Sequence, residues 1–402
     1  MGSLSNHKLW LSQHITNNTP LIIAGTAIAT TAIVSLLNRF LYPTPPKLLR
    51  SPLKTVLPKL SEEQLSQLEY QPDIFPGARD VSTPYGSVRV YEFGPPDGQK
   101  VLFVHGISTT CMTMTKLASA LAYQRGCRVM LFDLFGRGFS DNPADLPHDS
   151  RLYLSQALIA LASSELSWSS FTLIGYSLGG GIVTHFAASF PHLVSNLILL
   201  APAGLIRPQS FGTVTRFVFQ SGYVPPKMLA FFTKRRLQKP IRSSSKRATA
   251  ALAQAEAALE TASSSAKTDA VTASSLLEDE ATDSATSEPR TALERRVLKA
   301  VHWQLKNHAG FVDAFISCIR YAPMTGQEEA FRKLAERKKG TTAVVLGTWD
   351  EIIDPDEYDA DVLPLMGGAD QVIWEKVPGG HDFPMTYAEE TLEVIYRVLG
   401  ME

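Results

Sequence analysis

The strongest constraint on the fold is a repeated alternation between short apolar segments and segments with helical periodicity. KVLFVHGI (100–107) and FTLIGYS (171–177) are almost continuously apolar, as expected for strands covered on both faces of a parallel sheet. Further strand patterns occur at 87–93, 128–134 and 196–204, and helical patterns occur at 115–126, 151–166 and 180–190. Because strands that alternate with helices form βαβ units, the sequence predicts an α/β fold with a doubly wound, mainly parallel sheet.

The alternation stops after residue 204 and resumes at TTAVVLG (341–347) and QVIWEKVPG (371–379). Between these points, residues 205–340 show helical patterns and no clear core strand. We therefore predict one α/β core built from residues 85–204 and 341–402, into which residues 205–340 are inserted as a helical cap. Such a cap lies at the carboxyl edge of the sheet, where open α/β sheets bind ligands and where a lid is well placed.

Residues 243–290 within this cap are rich in alanine, serine and threonine and contain few large apolar side chains. The stretch 247–262 has helical propensity from its alanines, but it has too little apolar surface to join a core. We expect residues 243–290 to be disordered or to form a loose surface helix.

The N-terminal region contains an uncharged apolar run, LIIAGTAIATTAIVSLL, at residues 21–37. A membrane-spanning helix needs about 17–25 mostly apolar residues, so this run qualifies. We predict an N-terminal tail over 1–20, a membrane anchor helix over 21–42 and a linker over 43–84. A buried or interfacial helix and a cleaved signal peptide are the alternative interpretations of the run.

The basic residues that flank this run predict its orientation. On the N-terminal side there is only Lys8, whereas the C-terminal side has Arg39, Lys47, Arg50, Lys54 and Lys59. Because positive residues favour the cytosolic side of a membrane, we expect a single-pass protein whose C-terminal domain is cytosolic.

Composition argues against several other classes of protein. The formal net charge is −1, and no nucleic-acid-binding motif is visible, so a nucleic-acid partner is not expected. The chain has three cysteines: Cys111, Cys127 and Cys318. Because this number is small and odd, the sequence does not predict a disulfide framework. The sequence has no CxxC pair or Cys/His cluster with zinc-ligand spacing, so we do not expect a structural metal.

Gly175-Tyr176-Ser177-Leu178-Gly179 forms a G-x-S-x-G motif that follows a buried strand and begins a helix. A strand-to-helix turn this sharp crowds the backbone, which explains why glycines flank the serine on both sides. The turn presents the hydroxyl at the edge of the sheet, and the helix N-terminus favours developing negative charge. We predict Ser177 as a nucleophile; the alternative is a glycine-rich turn with an incidental serine.

A serine hydroxyl needs an adjacent base to become a strong nucleophile, and the base needs an orienting acid. His381 in PGGHDFP follows the last predicted strand, and Asp350 in LGTWDEIIDP also follows a strand. All three groups therefore leave the sheet at one edge. We predict His381 as the general base and Asp350 as the acid, with Asp354 as the rival acid and Glu351 as a weaker one. The alternative for His381 is a surface-loop histidine.

An oxyanion formed during acyl transfer needs hydrogen-bond donors that are fixed in advance. We predict the backbone N–H groups of Leu178 and Ile107, because Leu178 follows the serine and Ile107 lies in the loop after the VLFVHG strand. His105 in that strand is more typical of a structural histidine.

These motifs together resemble the α/β-hydrolase superfamily. The resemblance covers about residues 85–205 and 340–400 and depends on five segments. They are VLFVHG, FDLFGRGFSD (132–141), GYSLGG (175–180), LGTWD (346–350) and PGGH (378–381). It implies a triad in the order Ser177, Asp350, His381, and a cap inserted after the sixth strand. It also implies that the turn containing Asp133, Gly136, Arg137, Gly138 and Ser140 shapes the site without reacting.

The resemblance implies a two-step acyl transfer without a cofactor. Serine at the nucleophile position argues against the epoxide-hydrolase and dehalogenase branches, which use a carboxylate there. The anchor and the apolar residues of the cap favour a small lipophilic ester as substrate, as in a carboxylesterase or lipase. The alternatives are cleavage of a thioester, amide or carbon–carbon bond by the same triad, or a non-catalytic binding protein. The cap is longer than is usual in the family, and the anchor lies outside the family's common core.

Overall fold

The computed structural model describes residues 3–42, 44, 46–207, 218–219, 223–237 and 291–401. Within these ranges, eight strands form one sheet in the order β1-β2-β4-β3-β5-β6-β7-β8. The strands are β1 Arg79–Thr83, β2 Gly86–Phe93, β3 Lys100–Val104, β4 Arg128–Phe132, β5 Phe171–Tyr176, β6 Val194–Leu200, β7 Thr342–Gly347 and β8 Ile373–Val377. Residues 243–290, for which we expect disorder or a loose helix, lie outside the described residues.

The sheet confirms the predicted doubly wound, mainly parallel α/β fold. Neighbouring strands are parallel from β4 to β8, whereas β1 and β2 are antiparallel to their neighbours. All residues of β5 and β7 are buried, as their continuous apolar sequences require. Parallel strands place their carboxyl ends at one edge, and the predicted site residues follow three of these ends.

The sheet begins at Arg79 and not at residue 85, where we expected the core to start. Strand β1 has the polar sequence RDVST and pairs only with β2 at the edge of the sheet. An edge strand with half-exposed side chains needs no apolar run, so apolar periodicity did not reveal it.

The segment that we expected to be a linker, 43–84, is packed on the core beyond residue 46. It contains helices α2 (Pro52–Thr55) and α3 (Glu62–Ser66) as well as β1. The carboxylate of Asp141 accepts hydrogen bonds from the Ser51 N–H at 2.8 Å and from the Lys54 ammonium at 3.0 Å. The buried Asp141 therefore ties the segment to the core, a long-range contact that composition does not reveal.

The remaining helices belong to the core and to the inserted segment 205–340. The predicted helix over 115–126 is a short α4 (Thr115–Ser119) that continues as a π-helical turn over Ala120–Gln124. On the core and cap the helices are α5 Ser150–Ala162, α6 Leu178–Ser189, α7 Pro226–Leu237, α8 Ala292–Asn307, α9 Phe311–Tyr321, α10 Glu328–Leu334, α11 Pro355–Asp361, α12 Phe383–Thr386 and α13 Ala388–Leu399. The described part of residues 205–340 is helical, as predicted.

One long N-terminal helix, α1, runs over Ser3–Leu41, so the predicted tail 1–20 is helical from Ser3 onward. Its segment Ile22–Leu41 is long and apolar enough to cross a membrane, by length and composition alone, and none of it is buried against the protein. A signal sequence near an N-terminus has the same length and composition, so the anchor stays a prediction.

Candidate active site

Ser177 lies on the sharp turn between β5 and α6. Its backbone has φ 54° and ψ −120°, a positive-φ conformation that is unusual for a residue with a side chain. The Ser177 N–H donates to Leu200 O at 3.0 Å, and the Ala203 N–H donates to Ser177 O at 2.8 Å. These bonds from β6 and the segment after it hold the strained turn in place. The turn has the geometry that the G-x-S-x-G motif predicts.

The glycines of this motif are required by close backbone approach. A Cβ atom on Gly179 would collide with Val104 O, and one on Gly175 would lie 2.5 Å from Gly179 O. Helix α6 therefore begins directly against the end of β3, and no larger residue fits at either position.

His381 joins the serine to a carboxylate. Its Nε2 lies 2.9 Å from Ser177 Oγ, and its Nδ1 lies 2.7 Å from Asp350 Oδ2. All three side chains are buried. Because a carboxylate only accepts hydrogen bonds, Nδ1–H donates to Asp350, which leaves Nε2 to accept the serine proton. The structure thus brings together the three residues that we predicted as nucleophile, base and acid.

Asp350, and not its rival Asp354, lies against the imidazole. The second oxygen of Asp350, Oδ1, accepts hydrogen bonds from the N–H groups of Ile352 and Ile353, each at 2.8 Å. Those bonds orient the carboxylate towards His381. Asp354 instead caps helix α11, where its Oδ1 accepts from the Asp356 N–H at 3.0 Å.

The two residues predicted to supply oxyanion donors follow neighbouring strands. Val104 at the end of β3 pairs with Gly175 near the end of β5, and Ile107 and Ser177 follow these residues by a few positions. Leu178 is the first residue of α6. The register therefore puts both segments at the same edge of the sheet, as an oxyanion hole requires. Their role as donors stays a prediction.

A sequence model of the family described as alpha/beta hydrolase fold matches residues 100–360 of the 402-residue chain. The chain belongs to the α/β-hydrolase fold family. The match contains Ser177 and Asp350 and ends before His381, so the geometry adds the third member of the site. The resemblance inferred from the motifs is confirmed.

Curated relatives of this α/β-hydrolase-fold chain include a serine hydrolase-like protein of Dictyostelium discoideum, which is 30% identical over 138 residues. The aligned region covers 33% of this chain and only 37% of that relative's length. Solved structures with the same fold include the naproxen esterase from Bacillus subtilis, at 16% identity and a TM-score of 0.54, covering 85% of this chain and 100% of that one. A membrane phospholipase A has 16% identity and a TM-score of 0.53 and covers 98% of each chain. At such identities the likeness shows the fold alone.

One supporting residue of the α/β-hydrolase site, Tyr176, was missed by the sequence analysis. Its hydroxyl donates to His381 O at 3.0 Å, and its ring centroid lies 5.3 Å from that of the imidazole. Tyr176 is the last residue of β5, so it joins the serine strand to the histidine loop. The only sequence feature that could have indicated this role is its position directly before Ser177. The G-x-S-x-G motif permits any residue at that position.

Arg137 connects the turn after β4 to the predicted oxyanion loop and to the cap. Its guanidinium is fully buried, and Nε donates to Ile107 O at 2.7 Å. Nη1 donates to Phe135 O at 3.1 Å, and Nη2 lies 3.4 Å from the sulfur of Cys318 on α9. This cation thus fixes the backbone around Ile107, which agrees with the shaping role that the family resemblance implies for the turn.

Histidine 105 has a structural role in the α/β-hydrolase core. Its Nε2 accepts from the Leu134 N–H at 2.9 Å, so Nδ1–H donates to Gly106 O, also at 2.9 Å. Burial lowers the pKa of His105 to about 3, which keeps the ring neutral at physiological pH.

Within the described ranges, one group of side chains brings possible metal ligands within 4.8 Å of one another: His105, Cys111 and Asp133. Asp133 accepts hydrogen bonds from the Tyr70 hydroxyl at 2.8 Å and from the Phe139 N–H at 2.9 Å. Burial raises the pKa of the Cys111 thiol well above its usual range, which disfavours the thiolate that binds metals. The hydrogen bonds of Asp133 explain the cluster, because they support the turn after β4. We therefore expect no metal there.

Proposed function

We propose that this chain is a serine hydrolase, anchored in a membrane by residues 21–42, that cleaves a lipophilic carboxylic ester. The observation that carries the proposal is the hydrogen-bond chain from the Ser177 hydroxyl through His381 to Asp350. Its distances suit proton transfer from the hydroxyl to the imidazole. The name of the serine hydrolase-like relative in Dictyostelium discoideum agrees with this proposal.

In the first step, Ser177 Oγ attacks the carbonyl carbon of the ester while His381 Nε2 takes the hydroxyl proton. The negative charge that forms on the carbonyl oxygen is held by the N–H groups of Leu178 and Ile107. Asp350 stabilises the imidazolium. His381 then returns the proton to the alkoxide as the carbon–oxygen bond breaks, and an alcohol leaves behind the acyl-serine.

In the second step, water attacks the acyl-serine and gives a proton to His381 Nε2. Collapse of the second oxyanion releases the carboxylic acid, and His381 returns the proton to Ser177 Oγ. Every proton transfer uses the same imidazole nitrogen, so the sequence of steps needs no metal and no cofactor.

The anchor argues for a lipophilic substrate and for a cytosolic site. A helix over 21–42 would hold the cap close to lipid, where apolar esters accumulate. The basic residues that follow the helix favour placing the catalytic domain on the cytosolic side of a single-pass protein.

The direct test is covalent labelling of the full chain by a fluorophosphonate probe, with Ser177→Ala as the matched variant. We expect labelling of the native protein and none of the variant. We also expect that ester turnover falls by about 10⁶-fold, as in other serine hydrolases that lose the nucleophile. Absence of labelling in the native protein would favour the non-catalytic binding alternative, and equal labelling of both proteins would reject Ser177 as the nucleophile.

The bond that is cleaved can be identified by comparing substrate panels under the same conditions. We expect p-nitrophenyl esters of increasing acyl length to be cleaved faster than thioesters, anilides or vinylogous diketones. If a diketone or thioester is cleaved faster, the triad assignment would stand, but the proposed ester substrate would be wrong.

A further inference from the structure

Helix α7 in the cap has an amphipathic pattern whose apolar outer face lies uncovered by the described residues. Its inner face consists of Leu229, Thr233 and Leu237, which recur every four residues and are buried. On the outer side, Met228, Phe231 and Phe232 are 47%, 58% and 56% exposed. Their spacing of i, i+3 and i+4 puts all three on one stripe. Together with Tyr223, which precedes the helix and is 77% exposed, they form what we call the outer stripe.

The outer stripe adjoins the C-terminal end of the apolar segment of α1. The hydroxyl of Tyr42 donates to Tyr223 O at 2.8 Å, and the ammonium of Lys227 lies 5.4 Å from the ring centroid of Phe40. Because the apolar segment Ile22–Leu41 ends here, the stripe lies at the level where a spanning helix would leave the hydrocarbon. Tyrosine and tryptophan side chains concentrate at this level of membrane proteins, as Tyr223 would here.

Within the described segment 223–237, which carries the stripe, all charged side chains are positive. Lys227, Lys234 and Arg235 are exposed beside the apolar residues, and residues 223–237 contain no aspartate or glutamate. An exposed helix with aromatic residues and a cationic border suits the headgroup region of an anionic bilayer. Large exposed apolar patches are uncommon on proteins without such a partner.

We propose that α7 and Tyr223 form a second membrane contact, in which the outer stripe lies in the headgroup region of an anionic bilayer beside the end of α1. The proposal rests on the membrane anchor in the proposed function. Helix α7 also packs against α9, which carries Cys318 beside Arg137, so the contact would fix the cap against the lipid from which a substrate enters.

The test uses the full chain in vesicles that contain phosphatidylserine and spin-labelled lipid. Because Cys111, Cys127 and Cys318 are buried, an introduced cysteine can be labelled selectively with an environment-sensitive fluorophore. Met228→Cys reports on the stripe, Ile33→Cys reports on α1, and Tyr123→Cys is the exposed control that precedes β4 at the opposite edge of the sheet. Fluorophosphonate labelling of each variant checks that it is folded.

We expect the spin-labelled lipid to quench the labels at 228 and 33 several-fold more than the label at 123. Quenching at 33 without quenching at 228 would overturn the second contact and keep the anchor. An unquenched label at 33 would reject the anchor, whatever happens at 228. A label at 228 that is shielded from water but not quenched would assign the stripe to a protein partner and would also overturn the proposal.

A charge variant tests the choice of an anionic surface. In the Met228→Cys background, Lys234→Gln with Arg235→Gln should reduce quenching in phosphatidylserine vesicles and leave it unchanged in pure phosphatidylcholine vesicles. As the matched control, Lys299→Gln removes a cation from α8, where it pairs with Glu69, and should change neither value. Equal quenching with and without Lys234 and Arg235 would refute the anionic partner.

Discussion

At the scale of single residues, the site depends on which carboxylate faces Nδ1 of His381. Asp350 and Asp354 both follow β7, and their spacing alone does not separate them. The N–H groups of Ile352 and Ile353 bind one oxygen of Asp350 and turn the other towards the imidazole at 2.7 Å. Asp354 instead caps helix α11 by accepting a hydrogen bond from the Asp356 N–H. The two carboxylates therefore have different contacts: Asp350 holds the imidazole of His381, and Asp354 caps a helix.

We predict that Asp350→Asn lowers kcat by about 10⁴-fold with little change in KM, because an amide stabilises neither the required tautomer nor the imidazolium. Asp354→Asn is the matched control, and its activity should stay near that of the native protein because asparagine also caps helices well. Steady-state kinetics with one ester decides between them. If Asp354→Asn lowers kcat more than Asp350→Asn does, Asp354 would be the acid that assists His381.

At the scale of secondary structure elements, the site is assembled where β7 and β8 end side by side. Gly347 pairs with Val377, the Thr348 N–H donates to Val377 O at 3.0 Å, and the Trp349 N–H donates to Gly379 O at 3.1 Å. The loops that carry Asp350 and His381 are thus joined backbone to backbone. This approach requires a glycine, since a Cβ at position 347 would lie 2.5 Å from Gly380 O and 2.6 Å from Gly379 O.

We predict that Gly347→Ala pushes these loops apart and lowers kcat by about 100-fold, the cost of a displacement of about 1 Å in a catalytic group. The control is Gly340→Ala at the amino end of β7. Its φ of 75° makes alanine unfavourable by about 1–2 kcal/mol, but it lies far along the strand from the site. Both variants should lose stability in denaturant titrations, and only Gly347→Ala should lose activity beyond its unfolded fraction.

At the scale of the whole molecule, buried histidines link stability to pH. Burial lowers the pKa of His105 and His148 to about 3 and that of His308 to about 4. The hydrogen bonds of His308 also suit a neutral ring, because its Nδ1 accepts from the Gly310 N–H at 3.1 Å and its Nε2–H donates to Ser140 O at 3.0 Å. A protonated ring could not accept the first of these bonds. His105 and His148 belong to the core and His308 belongs to the cap, so the effect is not confined to one part of the fold.

We predict that the free energy of unfolding falls as pH falls below about 6.5, the pKa of an unfolded histidine. Between that pH and the folded pKa values, the unfolded chain binds more protons than the folded chain, so acid favours unfolding. Each buried histidine should cost about 2 kcal/mol at pH 5 relative to pH 7. Burial raises the pKa of Asp133, which opposes this trend, so single-histidine variants give the cleanest measurement.

The measurement is denaturant unfolding between pH 5 and 7. His148→Phe keeps a ring beside Tyr153 and should flatten the pH dependence by about 2 kcal/mol over this range. As the control, His192→Asn removes an exposed histidine and should leave the slope unchanged. An unaltered slope in His148→Phe would mean that this histidine is protonated equally in both states.

The sequence by itself determined the α/β class, the interrupted sheet, the serine turn and the order of the three site residues. These depend on local patterns, since apolar periodicity and flanking glycines act over a few neighbouring positions. Only the tertiary structure decided which aspartate contacts His381 and that Tyr176 and Arg137 support the site. It also decided that a polar edge strand begins at Arg79. Such choices depend on contacts between distant segments, 31 residues apart for His381 and Asp350 and 204 for His381 and Ser177. Local patterns place those segments at one edge of the sheet, but the hydrogen bonds between their side chains are decided by the tertiary structure.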